Sequence, residues 1–205
     1  MPHETPDSTT ASIYGTHLPQ MEAVLDRLVQ CVESLRARME AEMGINPVEH
    51  MLARIKSEDS MRDKLRRKGL PQTTEAALTQ LYDAIGIRIV CAFLNDVYAI
   101  RDHLADDPEF DIVEERDYIR HAKPNGYRSY HLIVRSQQGY YAEVQLRTIS
   151  MDTWAALEHH LQYKKPHKGN QRLIVQELKR CADELASTDV SMQTLRDAIL
   201  GGDDS

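Results

Sequence analysis

The run Ile87-Arg88-Ile89-Val90-Cys91-Ala92-Phe93 constrains this chain more than any other stretch. β-Branched and apolar residues at this density fit a pleated, packed surface, so the run reads as a central strand. Arg88 is awkward there, because a guanidinium among such neighbours needs a partner. Asp83, one turn ahead of the strand, is an equally unusual entry. Thr74 to Tyr82 reads as a short helix before the strand, and Asn95 or Asp96 as the cap of a helix after it, running to about Leu104. Phe110 to Val113 is then a short strand. Ser129 to Arg135 and Tyr140 to Leu146 are two more, joined by the hairpin turn Gln137-Gln138-Gly139.

The last of these strands alternates. Glu143, Gln145 and Arg147 fall on one face, and Ala142, Val144 and Leu146 on the other. The polar row is either a cleft wall or the solvent face of an antiparallel sheet. Just upstream stands Lys123-Pro124-Asn125-Gly126-Tyr127-Arg128-Ser129-Tyr130-His131, a turn dense in cations and aromatic rings. Such a turn suits an anionic aromatic ligand, since phosphates take Lys and Arg and a nucleobase takes a tyrosine face. Taken alone it also fits an exposed loop with ordinary surface charges.

Residues 54–68 carry seven basic side chains (Arg54, Lys56, Arg62, Lys64, Arg66, Arg67, Lys68) against three acidic ones, inside a chain of formal charge -7. A solvated helix face is the plain explanation, but the contrast with the rest of the chain favours an anion site. Ser57 caps the helix, Glu58 and Asp59 occupy its first turn, and Gly69 ends it. Val48 to Lys56 fits a helix by spacing and a strand by length.

Leu18, Met21, Leu25, Leu28, Val32, Leu35 and Met39 repeat at a 3.5-residue period, with Gly44 as C-cap. The helix lies along its own domain, or along a partner helix. Ile149 to Tyr163 is a helix holding the single tryptophan, Trp154, and Glu158-His159-His160. That cluster is not HExxH and has no second ligand set nearby, so it does not support a zinc site. Lys164 to Asn170 is a basic linker. Ile174, Leu178, Cys181, Leu185, Met192, Leu195 and Ile199 form a second heptad-like series, in a helix or helix pair able to pack on the first.

The chain's 205 residues suffice for one cored domain with helical extensions, and an acidic pI near 5.7 speaks against bulk nucleic-acid binding. No apolar run is long enough to span a bilayer, and the polar first ten residues lack a signal peptide's apolar core. Three scattered cysteines without CxxC spacing argue against a disulfide framework or a zinc site. These features point to a soluble, cytoplasmic protein.

Several segments stand together in order: Arg54-Ile55-Lys56-Ser57, the basic helix Lys64 to Gly69, and Asp83-x-x-Gly86-x-Arg88. After them come the loop Lys123 to His131, Glu143-x-Gln145-x-Arg147-Thr148, and Met151-Asp152-x-Trp154-Ala155-x-x-Glu158-His159. The series resembles the synthetase domain of RelA/SpoT-type alarmone synthetases, specifically the small single-domain ones. It covers roughly residues 45–165, between a tail (1–15) and N-terminal helix (16–44) on one side and C-terminal helices for oligomerisation (166–200) and a tail (201–205) on the other. The resemblance implies an α+β fold, a nucleotidyltransferase-like mixed β-sheet flanked by helices. It also implies that Val48 to Lys56 is a strand.

The implied reaction moves pyrophosphate from ATP to the 3′-OH of GDP or GTP, giving AMP and ppGpp or pppGpp. Asp83 and Glu143 would be catalytic and hold Mg²⁺. Glu143 could also take the 3′-OH proton. On the donor side, Arg54 and Arg88 would sandwich adenine. Lys56, Ser57, Lys64 and Arg67 or Lys68 would meet the ATP phosphates. On the acceptor side, Tyr127 would stack on guanine, and Lys123, Arg128 and His131 would hold phosphates, within a loop that includes Asn125. Asp152 could read guanine N1 and N2, with Gln145 and Arg147 shaping the cleft. Ala122 replaces a common proline and Tyr130 a usual leucine, and neither change removes a chemical group. The resemblance further implies a homotetramer, with single-stranded RNA as a regulator to consider and no membrane or DNA partner. Two other readings are a toxin-type relative acting on tRNA or adenine nucleotides, and a silent RNA- or nucleotide-binding regulator.

Overall fold

A computed structural model of the protein describes residues 12–163 and 171–201. A short 3₁₀ turn, Gly15–His17, leads into α1 (Leu18–Met43), then β1 (His50–Ile55), α2 (Glu58–Arg67), α3 (Thr74–Thr79) and β2 (Ile85–Cys91). There follow α4 (Leu94–Asp106), β3 (Phe110–Asp117), β4 (Tyr130–Ser136), β5 (Tyr141–Thr148), α5 (Ile149–Tyr163) and α6 (Gln171–Leu200). The strands form one mixed sheet in the order β1-β2-β5-β4-β3. Only β2 and β5 are parallel; the other neighbours are antiparallel.

β2 is central, as its composition predicts. Its inward residues Ile85, Ile87, Ile89 and Cys91 are buried, in register with Ala142, Val144, Leu146 and Thr148 of β5. Leu132 and Val134 of β4 extend the same layer. α1 and α4 pack over this apolar face. The seam of α1 is therefore spent inside its own domain: Met21, Leu28, Val32 and Leu35 are buried. β1 confirms the strand over the helical spacing of residues 48–56, because its residues alternate against β2.

β3 runs well past the expected Val113. A bulge between Ile112 and Glu114 shifts its register against β4. Before the bulge Ile112 pairs with core-facing Val134; after it, Glu114 and Arg116 pair with Ile133 and His131 on the opposite face. The bulge breaks the alternation by which a strand is recognised. Glu115 is thereby turned to the α4 side, where it accepts from Arg101 and Tyr130. The Tyr130 hydroxyl thus keeps a partner.

Other expectations are corrected. The helix after β2 begins at Leu94 with Phe93 at its N-cap and no side-chain cap. Asp96 is instead buried inside the helix and pairs with Arg196 at 2.6 Å. Ile13 and Tyr14 are packed rather than tail-like: each is 2% exposed, and Tyr14 Oη donates to the Lys56 carbonyl at 2.6 Å. The C-terminal series is one continuous helix, and it packs on α5 and α4. Ala182 and Leu185 line a small cavity with Met151 and Trp154 of α5, Asp189 accepts from Thr148 at the end of β5 at 2.6 Å, and Gln193 accepts from the Asn95 amide at 3.0 Å. Cys181, Met192, Leu195 and Ile199 of the predicted seam are exposed. The expected linker 164–170 and the outer parts of both tails lie outside the described residues.

Breaking the Asp96–Arg196 pair strands a carboxylate that is 2% exposed. Arg196→Met is expected to lower the unfolding free energy by about 3 kcal/mol in denaturant titration. Arg180→Met, at a pair whose side chains are 58% and 63% exposed, is expected to change it by less than about 1 kcal/mol.

Candidate active site

The sheet face opposite α1 and α4 is the cleft. Pleating places Arg54 of β1, Arg88 of β2, His131 of β4 and Glu143, Gln145 and Arg147 of β5 on it, in register across four strands. Two depressions open here and share Asp83 and Glu143. The first is lined by Leu52, Arg54, Lys56, Gly86, Arg88 and Gln145. The second, about 280 Å³, is lined by Lys64, Lys68, Tyr82, Arg116, His131 and Ile133, and its size is near the low end for ligand pockets.

Asp83 enters just before β2, facing α2. Lys56 and Lys64 each hold its Oδ2 at 2.6 Å. Burial raises the pKa of this carboxyl, but the two ammonium groups outweigh burial and the net shift is down. Its Oδ1 is buried with no hydrogen-bond partner. Glu143 accepts from Gln145 Nε2 at 2.9 Å and lies 3.5 Å from His131 Nδ1. Here too burial raises the pKa and hydrogen bonding to His131 and Gln145 brings it below the usual value. Both carboxylates are therefore ionised at neutral pH.

Arg147, expected only to shape the cleft, is its hub. Though 5% exposed, it donates to Asp152 Oδ1 (2.9 Å), Tyr127 Oη (2.9 Å) and Gln145 Oε1 (3.1 Å). Tyr127 Oη also lies 2.8 Å from His131 Nε2. A guanidinium can only donate, so the tyrosine's own proton is left for Nε2. That puts the imidazole proton on Nδ1, toward Glu143. Arg88 finds the partner its setting demands in Asp152, at 3.5 Å. Burial, then the nearby Arg147 charge, lower the Arg88 pKa, and Asp152 partly offsets them. Asp152 thus gathers Arg88, Arg147 and, at 3.9 Å, His50.

The basic loop frames the far end. Gly126 has φ +95°, and Asn125 Oδ1 accepts from the Tyr127 amide at 3.2 Å, a turn held by its own side chain. Lys123 Nζ sits 4.6 Å from the Tyr118 ring centroid and 4.8 Å from that of Tyr127, a cation held between two rings. Of the predicted residues, Ser57 caps α2 by accepting from the Ser60 amide. Arg67 is exposed and lines neither depression. Arg128 is paired with Asp183 of α6 at 2.9 Å. Tyr118, Tyr82 and Arg116 were not anticipated. Arg116 was hidden by the bulge, and Tyr82 and Tyr118 lie outside the strand pattern.

A mixed sheet with a carboxylate pair ringed by cations suits an enzyme of phosphorylated substrates. Residues 53–168 match the region found in RelA / SpoT proteins. GTP pyrophosphokinase YwaC of Bacillus subtilis is 41% identical over 147 residues, covering 68% of this chain and 70% of that one. GTP pyrophosphokinase YjbM of the same organism is 31% identical over 190 residues, covering 89% and 87%. Among solved structures, small alarmone synthetase 2 of B. subtilis superposes with a TM-score of 0.75 at 34% identity, covering 88% of this chain and 96% of that one. Small alarmone synthetase 1, bound to its product pppGpp, gives 0.74 at 30% identity, covering 87% and 94%. The chain belongs to the RelA/SpoT family, with the small alarmone synthetases.

A Cβ on Gly126 would lie 2.7 Å from Ala182 Cβ and 3.0 Å from Lys179 Cα, at a φ that L residues avoid. Gly126→Ala is expected to destabilise the protein by about 1–3 kcal/mol. It should also shift the emission of Trp154, whose ring lies 6.4 Å from that of Tyr127.

Proposed function

We propose that this protein is a GTP pyrophosphokinase, moving the β,γ-pyrophosphoryl group of ATP to the 3′-OH of GDP or GTP. The observation that carries the reading is the seam formed by Asp83 and Glu143 between two cation-lined depressions. Phosphoryl-type transfer needs charge neutralisation and in-line positioning more than covalent help. The acceptor oxygen attacks the β-phosphorus, the bond to the α-phosphate oxygen breaks, and AMP leaves.

The site residues take roles that fit this chemistry. Arg54 and Arg88 flank the first depression, where a donor adenine can lie between guanidinium planes. Lys56 and Lys64 meet its phosphates, with Lys68 beside them. Tyr127 offers the acceptor guanine a ring face once Lys123 swings from between the tyrosines toward phosphate. Asp152 reads the base edge, and Glu143 accepts the 3′-OH proton.

The unpartnered Asp83 Oδ1 and the nearby Glu143 carboxylate fit a magnesium ion. Among the described residues no third His, Cys, Asp or Glu joins them in a cluster, and Mg²⁺ commonly takes one or two carboxylates plus substrate phosphates. Bound there, the ion would neutralise charge developing on the transferred group.

Exposed Leu157 and Leu161 on α5, with Val190, Met192, Leu195 and Ile199 on α6, support self-association, which we take to be the homotetramer that the family resemblance implies. A cytoplasmic setting suits these substrates, and no described helix is long and apolar enough to cross a membrane.

Incubation with labelled ATP and GDP, GTP, ATP or deacylated tRNA is expected to label the guanosine nucleotides. Label appearing only in tRNA or adenine nucleotides would point to the toxin-type reading, and none at all to a silent regulator. Glu143→Gln and Asp83→Asn are each expected to lower turnover at least about 1,000-fold with folding retained. Tyr127→Ala is expected to raise the acceptor KM about tenfold while moving the ATP KM little. Sedimentation at micromolar concentration is expected to show the oligomer, and a monomer there would refute it.

A further inference from the structure

Successive residues of the basic loop take different partners. Tyr127 bonds with Arg147 and His131 in the cleft. Arg128, only 17% exposed, turns to α6: its Nη2 donates to Asp183 Oδ1 at 2.9 Å and its Nη1 to the Gly126 carbonyl at 3.2 Å. Lys179 Nζ holds the other Asp183 oxygen at 2.6 Å. Lys179, Ala182 and Asp183 fall within one helical turn, on the face that meets the loop. Contact there is so close that the missing Gly126 side chain is what admits Ala182. No α6 residue lines either depression.

We infer that Arg128 is a positioning residue rather than a phosphate ligand: by clamping the loop to Asp183 it makes α6 a support of the acceptor site and sets the Tyr127 ring. A guanidinium engaged by a carboxylate and by its own loop's carbonyl has its forked donors committed within the protein. The Asp183 pKa is lowered, first by Lys179 and then by Arg128, so the carboxylate is charged and able to hold the clamp at neutral pH. Asp189, which bonds Thr148, also feels the Arg128 charge, so a neutral replacement tests the clamp more cleanly than a reversed charge. The inference rests on the reading of Tyr127 as the acceptor's stacking face.

The test compares Asp183→Asn, Arg128→Gln and the double variant in the full-length enzyme. It measures KM for GDP and ATP, and hydrogen exchange of the amides of residues 125–129. Asp183→Asn, which cannot touch a substrate phosphate, is expected to raise the GDP KM roughly fivefold with little change for ATP. It should speed exchange in the loop but not in β2 or β5. Adding Arg128→Gln should then raise the GDP KM little further, because both changes remove one interaction. An unchanged or lowered GDP KM in Asp183→Asn, unchanged loop exchange, or fully additive effects would overturn the inference, since a phosphate ligand gains when its competing carboxylate is removed. Tyr127→Ala in the same assay separates the two readings. If it moves both KM values equally, the acceptor assignment has failed. If it is selective for GDP while Asp183→Asn is silent, the clamp alone has failed.

Discussion

The cleft depends on the burial of the Arg147 guanidinium. A charge removed from water is tolerated only where hydrogen bonds and an opposite charge replace its hydration. Its partners come from three segments: Gln145 on the same strand, Tyr127 in the basic loop and Asp152 on α5. One side chain therefore fixes how the strand, loop and helix meet. Asp152 passes the constraint on to Arg88, and Tyr127 passes it through His131 toward Glu143. The network runs from Arg88 to the Glu143 carboxylate at the seam. Displacing any member leaves a buried polar group to be satisfied elsewhere.

The sheet separates support from chemistry by pleating. One face of β2 and β5 is apolar and sealed beneath α1 and α4; the other carries arginines, glutamine and glutamate into the open cleft. Because side chains alternate strictly, a one-residue slip would bury the charges and expose the core, so the register of the pair is firmly specified. Nature relaxes that rule once, at the β3 bulge, and the slip there turns Glu114 and Arg116 to the second depression. Glu115 meanwhile serves the α4 side through Arg101 and Tyr130.

The helical extensions are parts of the same machine. Tyr14, ahead of α1, grips the carbonyl of Lys56 at the strand end that delivers that lysine to Asp83. At the other end of the chain, α6 fastens to α4 through Arg196 and Gln193, to the β5–α5 junction through Asp189, and to the basic loop through Asp183. Its buried residues are Ala182, Asp189 and Gln193, while Val190, Met192, Leu195 and Ile199 face outward.

The residues alone indicated most of the elements and the family. Ile87 to Cys91 had to be a strand, although the run was read on to Phe93, which instead caps α4; Ser57 and Gly69 had to bound a helix, and alternation put Glu143, Gln145 and Arg147 on one face. Short-range physics governs all of these. Motif order was enough to identify the family and to bring Asp83, Glu143 and the arginines into one site. What only the tertiary structure decided was partnership. Arg147 as hub, Arg128 committed to Asp183, Asp96 buried against Arg196, and Tyr118 as the second ring around Lys123 all pair residues far apart in the chain or hidden by irregular backbone. Periodicity also could not say which side of the C-terminal helix would face inward. Ala182, Asp189 and Gln193 won that face because the close approach of Gly126 admits only a small side chain, and Thr148 and the start of α4 offer polar groups that need partners.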